Sequence, residues 1–424
     1  MTKRLAFTSG TVLAAAVLAG SLALTGCSSS SENGGQAAPS VENTDGRGPI
    51  TFAMGKNDID LIKPIAEKWN KEHADEQVTI HELAGEADDQ RDTLVQSLQA
   101  GNSEYDVMAL DVVWTADFAA NQWLAPLTGD LEVDTSGLLP ATVDSATYNG
   151  TLYALPQNTN GQLLYRNTDL VGEKPENWSQ LKKSCEDRKD AAKEKDCLVL
   201  QLKQYEGLTV NTAGFMEGWG GSILKDDGTP NVEAQGSKDG LQAMVDGLKD
   251  NTIAKSSLSA TEEETNQAFV GGDTAYAVNW PYMYTNAVEA GLPVEVQPLV
   301  GKDGVGVSTL GGYNNGINIH SEHKATARDF ISFIITEDNQ RSFAENSFPP
   351  VLASIYDDQA LIDKYPYLPA LKLSLENAVP RPVSPYYTAI SKAIQDNAYA
   401  ALNGNRSVDE VTADMSAAIT NAAG

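Results

Sequence analysis

Residues 50–111 read ITFAMGKNDIDLIKPIAEKWNKEHADEQVTIHELAGEADDQRDTLVQSLQAGNSEYDVMALD, and the fold is decided by their pattern. Ile50 to Met54 is a short apolar run of strand length. From Ile59 to Glu72 the apolar residues Ile62, Ile65, Ala66 and Trp69 recur at helical spacing, which predicts an amphipathic helix. Gln77 to Leu83 is the next strand. Arg91 to Ala100 is helical and stops at Gly101, a usual C-terminal signal. Tyr105 to Asp111 is an apolar strand, followed by a helix from about Trp114 to Asn121. Strand and helix alternate, so the expected class is α/β, with a parallel sheet covered on both faces.

Towards the C-terminus the alternation continues. Tyr153 to Pro156 and Leu163 to Tyr165 are strand-like, and Thr274 to Asn279 is a buried strand. Helices are expected at Trp178 to about Lys195, Ser237 to Asp250, Ala325 to Ile335, Thr388 to Leu402 and Val408 to Ala423. No repeat of fixed period is present, which argues against a solenoid. From Pro49 onward the chain is long enough for two domains of ~100–200 residues each.

Towards the N-terminus the pattern is that of an export signal. Lys3 and Arg4 precede an apolar run that ends in Leu24-Thr25-Gly26-Cys27. A Cys after small residues at that point reads as a lipobox, so residues 1–26 are expected to be a lipoprotein signal and Cys27 the lipidated residue. Residues 27–48, rich in Ser, Gly and Asn, are expected to be a flexible tether. The chain carries a net charge of −28. Such a surface repels nucleic acid and anionic headgroups and fits no nucleic-acid partner. Cys185 and Cys197 remain, twelve positions apart. In an oxidising compartment they should pair, the alternative being a metal site for which no nearby His or third Cys is available.

Enzyme signatures are scarce. There is no nucleophile elbow, P-loop or dinucleotide fingerprint. His320 and His323 could be imagined as metal ligands, but Ser321 reads as the N-cap of the following helix, and neither a metal nor a cofactor is expected. His73 and His81 read as solvated. Composition alone leaves a glycosidase pair of carboxylates open. Sugar-binding chemistry is easier to find. It needs planar polar side chains for hydroxyls and aromatic faces for C–H surfaces. Such mixtures follow or precede strands at Gly55-Lys56-Asn57-Asp58, Asp111 with Trp114, Gln157-Asn158-Thr159-Asn160, Asn279-Trp280-Pro281-Tyr282 and Gly311-Gly312-Tyr313. In open α/β sheets that is where ligands sit. Trp69, Trp123 and Trp178 read as core; Pro281 breaks its strand, which puts Trp280 and Tyr282 at a cleft.

At these residues the chain resembles extracellular solute-binding proteins of the maltose-binding type, most closely the trehalose/maltose-binding branch. The similarity runs from about Ile50 to Ala400. It is carried by Tyr105-Asp106-Val107, Leu152 to Pro156, Gln204-Tyr205-Glu206-Gly207-Leu208, Asn279 to Tyr282, Thr309 to Gly312, and Glu376 to Pro382 with Pro385-Tyr386-Tyr387. The resemblance implies a two-lobed periplasmic-binding-protein type II fold with the ligand cleft between the lobes. Lobe 1 is expected at 49–157 plus about 314–345, and lobe 2 at 158–313 plus about 346–424. It implies sugar contacts from Asn57, Asp58, Gln90, Arg91, Asp111, Glu262, Trp280, Tyr282, Gly312, Tyr313 and Arg381. Asn158 and Asn160 stand where relatives carry Tyr and Asp, and Tyr313 where some carry Trp, changes that could retune which disaccharide fits.

The function implied is a non-enzymatic receptor, monomeric and lipid-anchored outside the cell membrane. It would capture a disaccharide, trehalose first and maltose second, and hand it to an ABC permease driven by a cytoplasmic ATPase. The rivals are an exported glycoside-active enzyme and a receptor for another solute.

Overall fold

The computed structural model describes residues 41–188, 195–225 and 227–423, the side chains of Asn57 and Ala423 excepted. The signal, Cys27 and most of the tether lie outside the described residues. No described helix is long and apolar enough to cross a membrane.

Two sheets organise the chain from Ala38 onward. In the first, Ile50–Gly55 lies parallel to both Val78–Leu83 and Val107–Asp111. Thr309–Ile317 runs antiparallel to Val107–Asp111 along Tyr313 to Ile317 and antiparallel to Ala154–Asn160 along Gly311 to Gly316. The short strand Val379–Pro380 closes that edge. In the second sheet the order is Val294–Pro298, Leu163–Asn167, Thr274–Asn279, Asp196–Val199.

Strand periodicity explains why both sheets are sandwiched. Phe52, Met54, Val107 and Ala109 point into one core with Ile62, Ile65, Trp69 and Phe330. Their neighbours Ala53, Met108 and Leu110 point the other way, onto Leu94, Leu98, Trp114 and Phe118. A strand apolar on alternate sides needs helices on both faces. The second sheet repeats this: Leu164, Leu198, Tyr276 and Val278 face the helices Glu206–Gly218, Gln235–Lys249, Tyr387–Leu402 and Val408–Ala423. Leu163, Tyr165, Val199 and Ala277 face Phe269, Met283 and Tyr367. Two sheets with separate cores make a two-lobed α/β molecule, as expected.

Several local expectations need correction. Gln157 to Asn160 are not a loop after a strand but part of Ala154–Asn160, and Gly311 to Asn315 lie inside Thr309–Ile317. These two paired strands are also where the expected lobe limits, 157/158 and 313/314, lie. The helix at Trp178 ends at Glu186, and residues 189–194 of the expected span lie outside the described residues. Ser321 does not cap a helix. It is buried, donates to Asp106 Oδ1 at 2.6 Å and accepts from the His323 amide. His73 is half-buried rather than fully solvated, with one face stacked on Trp69 at a centroid distance of 3.6 Å. Trp69 is core, whereas Trp123 and Trp178 are half-buried, edge-on to Phe118 and Phe215. Cys185 and Cys197 are joined in a disulfide, with Cα atoms 5.7 Å apart.

Candidate functional site

One wall of the cleft comes from the first sheet. Gly55 ends its strand against the buried Gln90 amide, which a Cβ would meet at 2.4 Å. That close approach sets the 3-10 turn Lys56–Asp58 and presents the Asp58 carboxyl. Gln90 itself donates at 3.4 Å to the Gly85 carbonyl, and Arg91 is ion-paired with Asp117; both are turned towards their own lobe. Asp111 closes Val107–Asp111 and faces Tyr313 across the antiparallel pair. Tyr313 is also opposite Asn158, whose side chain is buried and accepts from the Tyr313 amide at 3.2 Å. Asn158 thus serves the strand pair. Gly312 has φ +121°, and a Cβ there would lie 2.4 Å from the Asn158 carbonyl, so only glycine fits.

The opposite wall comes from the second sheet. Thr274–Asn279 ends at Trp280, whose backbone is pinned twice: its amide donates to Asn279 Oδ1 at 2.7 Å, and its carbonyl accepts from the Tyr165 hydroxyl at 2.7 Å. The ring edge of Trp280 and the Asn160 side chain both crowd Gly311, each about where a Cβ would be 3.1 Å away. Glu262 opens the helix Glu262–Val270, held by a Thr261–Glu264 capping box. Its Oε2 accepts from the Tyr205 hydroxyl at 2.7 Å and its Oε1 from Trp280 Nε1 at 3.5 Å. The Tyr282 hydroxyl donates to the Glu262 carbonyl at 3.2 Å.

Electrostatics show that the walls meet. Burial pushes the Asp58 carboxyl up to about 6, against a hydrogen bond from Tyr313 that favours its charge, with Glu262 adding like-charge repulsion. Burial also raises the Glu262 carboxyl, opposed by the Tyr205 and Trp280 donors. The Tyr313 hydroxyl is held well above its ordinary range by burial and by the charges of Asp58, Asp111 and Glu262. Asp58, Asp111, Glu262, Tyr205, Trp280, Tyr282 and Tyr313 therefore form one constellation drawn from both sheets. At its mouth Lys203 reaches Glu86 on the opposite lobe at 2.9 Å.

Beneath it lies a network that residue types alone did not reveal. Arg381 is buried and donates from Nη2 to Asp111 Oδ1 at 2.9 Å and from Nη1 to Glu206 Oε1 at 2.7 Å. Although burial works against its charge, Asp111, Tyr387 and Glu206 keep the guanidinium charged above its ordinary range. Glu206 also accepts from the Tyr387 hydroxyl, and from Ser391 Oγ at 2.6 Å. Glu206 and Tyr387 lay within segments that carried the resemblance, yet nothing in residue type marks a buried Glu apart from a solvated one. Among the described residues no group of three His, Cys, Asp or Glu stands close enough to hold a metal. Acceptor carboxylates, donor hydroxyls and aromatic rings in one cleft suit a neutral, hydroxyl-rich ligand with apolar faces.

Fold and site together define a two-lobed solute-binding protein. The family model of bacterial extracellular solute-binding proteins matches residues 64–370, and the chain belongs to that family. It is 28% identical over 376 residues to a probable ABC transporter-binding protein of Deinococcus radiodurans, covering 83% of this chain and 88% of the relative. Its fold is similar to that of maltose-bound MalE3 of T. maritima, with a TM-score of 0.82 and 28% identity over 88% of this chain and 99% of that one. It is also similar to that of the GacH receptor of Streptomyces glaucescens, with a TM-score of 0.80 and 23% identity over 89% and 98% of the two chains.

Proposed function

We propose that this protein is the extracytoplasmic receptor of an ABC sugar importer, held to the membrane by a lipid on Cys27, and that it captures a disaccharide without chemical change. Trehalose is the first choice and maltose the second. The observation that carries the reading is the convergence of Trp280, Tyr282 and Tyr313 with Asp58, Asp111 and Glu262 from two sheets. A carboxylate accepts from sugar hydroxyls, and an aromatic face covers sugar C–H groups. The maltose bound to the T. maritima relative and the transporter assignment of the Deinococcus relative support the same class. A ligand touching both walls favours the closed arrangement by its differential affinity for it. The closed form would then dock on a permease, with energy from that partner's ATPase.

The test is a tryptophan-fluorescence titration with trehalose, maltose, maltotriose and a simple amino acid. Saturable binding of one disaccharide per chain, weakened in Trp280→Ala, is expected. Release of glucose during incubation would point to the glycoside-active enzyme, and saturation by the amino acid alone to another solute.

A further inference from the structure

Glu206 lies at the start of Glu206–Gly218, a helix whose Leu208, Ala213 and Met216 pack in the core of the second lobe. A buried carboxylate is costly unless its lone pairs are used. Here they are: Oε1 takes Arg381 and Tyr387, and Oε2 takes Ser391, whose Oγ also meets Thr209 Oγ1 at 2.8 Å and Gln395 Nε2 at 3.0 Å. Two of these partners reach beyond the second lobe. Tyr387 packs in the first lobe's apolar cluster with Trp114 and Phe118. Arg381 follows the strand Val379–Pro380 on the first sheet's edge and grips Asp111 at the end of a first-sheet strand. Asp111 uses Oδ1 for Arg381 and for the Val113 amide, and among the described residues no hydrogen bond reaches its Oδ2. That oxygen is the one left for a ligand hydroxyl.

We infer that Glu206 is a positioning residue of the cleft: from one lobe it fixes Arg381, and through Arg381 it aims Asp111 of the other. The inference rests on the sugar-receptor reading for its ligand but not for its geometry. With Glu206 charged, Arg381 is shared between two carboxylates and stands at a set height between the lobes. Without that charge, Arg381 is drawn wholly to Asp111, competes for both of its oxygens and removes the acceptor that the sugar would use. Ligand grip on Asp111 is thereby tied to the lobes being together, since only then do Glu206 and Asp111 share one guanidinium.

The experiment has two arms on the 15N-labelled protein. The first records the Arg381 Nε–Hε resonance without ligand, assigned by its disappearance in Arg381→Lys. Glu206→Gln, and Glu206→Asp should the first variant fail to fold, should shift or broaden that resonance. The second arm measures maltose and trehalose affinity by calorimetry, where Glu206→Gln should weaken the better-bound sugar about tenfold, the loss of one charge-assisted contact. An unmoved Arg381 resonance in a folded variant overturns the inference, as does a lower melting temperature with unchanged sugar affinity. If the wild type binds no sugar, the receptor reading fails, and the resonance arm alone decides whether Glu206 positions Arg381.

Discussion

Asp58 and Arg381 place charge in the same cleft under opposite terms. Arg381 is neutralised by two carboxylates, whereas Asp58 has hydroxyl company and a like-charged neighbour. With its carboxyl raised from 3.8 to about 6, folded protein holds a proton on Asp58 that the unfolded chain releases near pH 4. That stabilisation is present at low pH and is lost as pH rises through about 6. The stability advantage of Asp58→Asn over wild type should therefore shrink as pH falls from 7 to 5, by at most about 1.3 kcal/mol and less in proportion to residual solvent contact. Denaturant melts of both proteins at the two pH values check this; a constant gap would remove Asp58 from the buried constellation. Arg381→Ala is expected to weaken disaccharide binding roughly ten- to a hundred-fold. It should also cost about 3–5 kcal/mol of stability, because Glu206 and Asp111 are left without their cation. Trp280→Ala should lose comparable affinity with little change in melting temperature. If Arg381→Ala melts like wild type, the network is not closed in solution.

At the scale of elements, the strand Thr309–Ile317 does most to build the site, since it carries Gly311, Gly312 and Tyr313 between two partners. Gly312→Ala meets both a positive φ and the Asn158 carbonyl, and should cost about 1–3 kcal/mol while blunting sugar binding. Wild-type affinity and stability in that variant would contradict the packing described. The disulfide between Cys185 and Cys197 closes a short loop and is worth on the order of 3 kcal/mol in the chain-entropy model. Cys185→Ser with Cys197→Ser should show that loss in a denaturant melt, and no loss would mean the thiols are unpaired in the native protein. The parallel first sheet was legible from residues 50–111 because burial on both faces leaves apolar strands and periodic helices. The edges of the site were not. Asn158 and Gly311 look like loop residues, since Asn and Gly are turn formers, but a partner strand overrides that preference. Glu206 was silent for a related reason: in a single sequence, a carboxylate reads as surface until its partners, 175 and 181 positions away, are seen.

Among the described residues the two larger sheets are each sandwiched by helices, and elements of both bring acceptors, donors and rings together. Lys203 and Glu86 meet across the mouth, each about half exposed, so this contact should be weak and sensitive to salt. Lys203→Ala is expected to change sugar affinity less than threefold at physiological ionic strength, and a larger loss would make the rim a principal latch. The claim on which the account rests is that this cleft takes a disaccharide and keeps it intact. Isothermal calorimetry of the purified protein with trehalose and maltose tests it most directly. The account predicts one site per chain for at least one of the two, a negative heat-capacity change from the covered aromatic faces, and unaltered sugar recovered afterwards. No heat with either disaccharide, or glucose in the recovered solution, would contradict it.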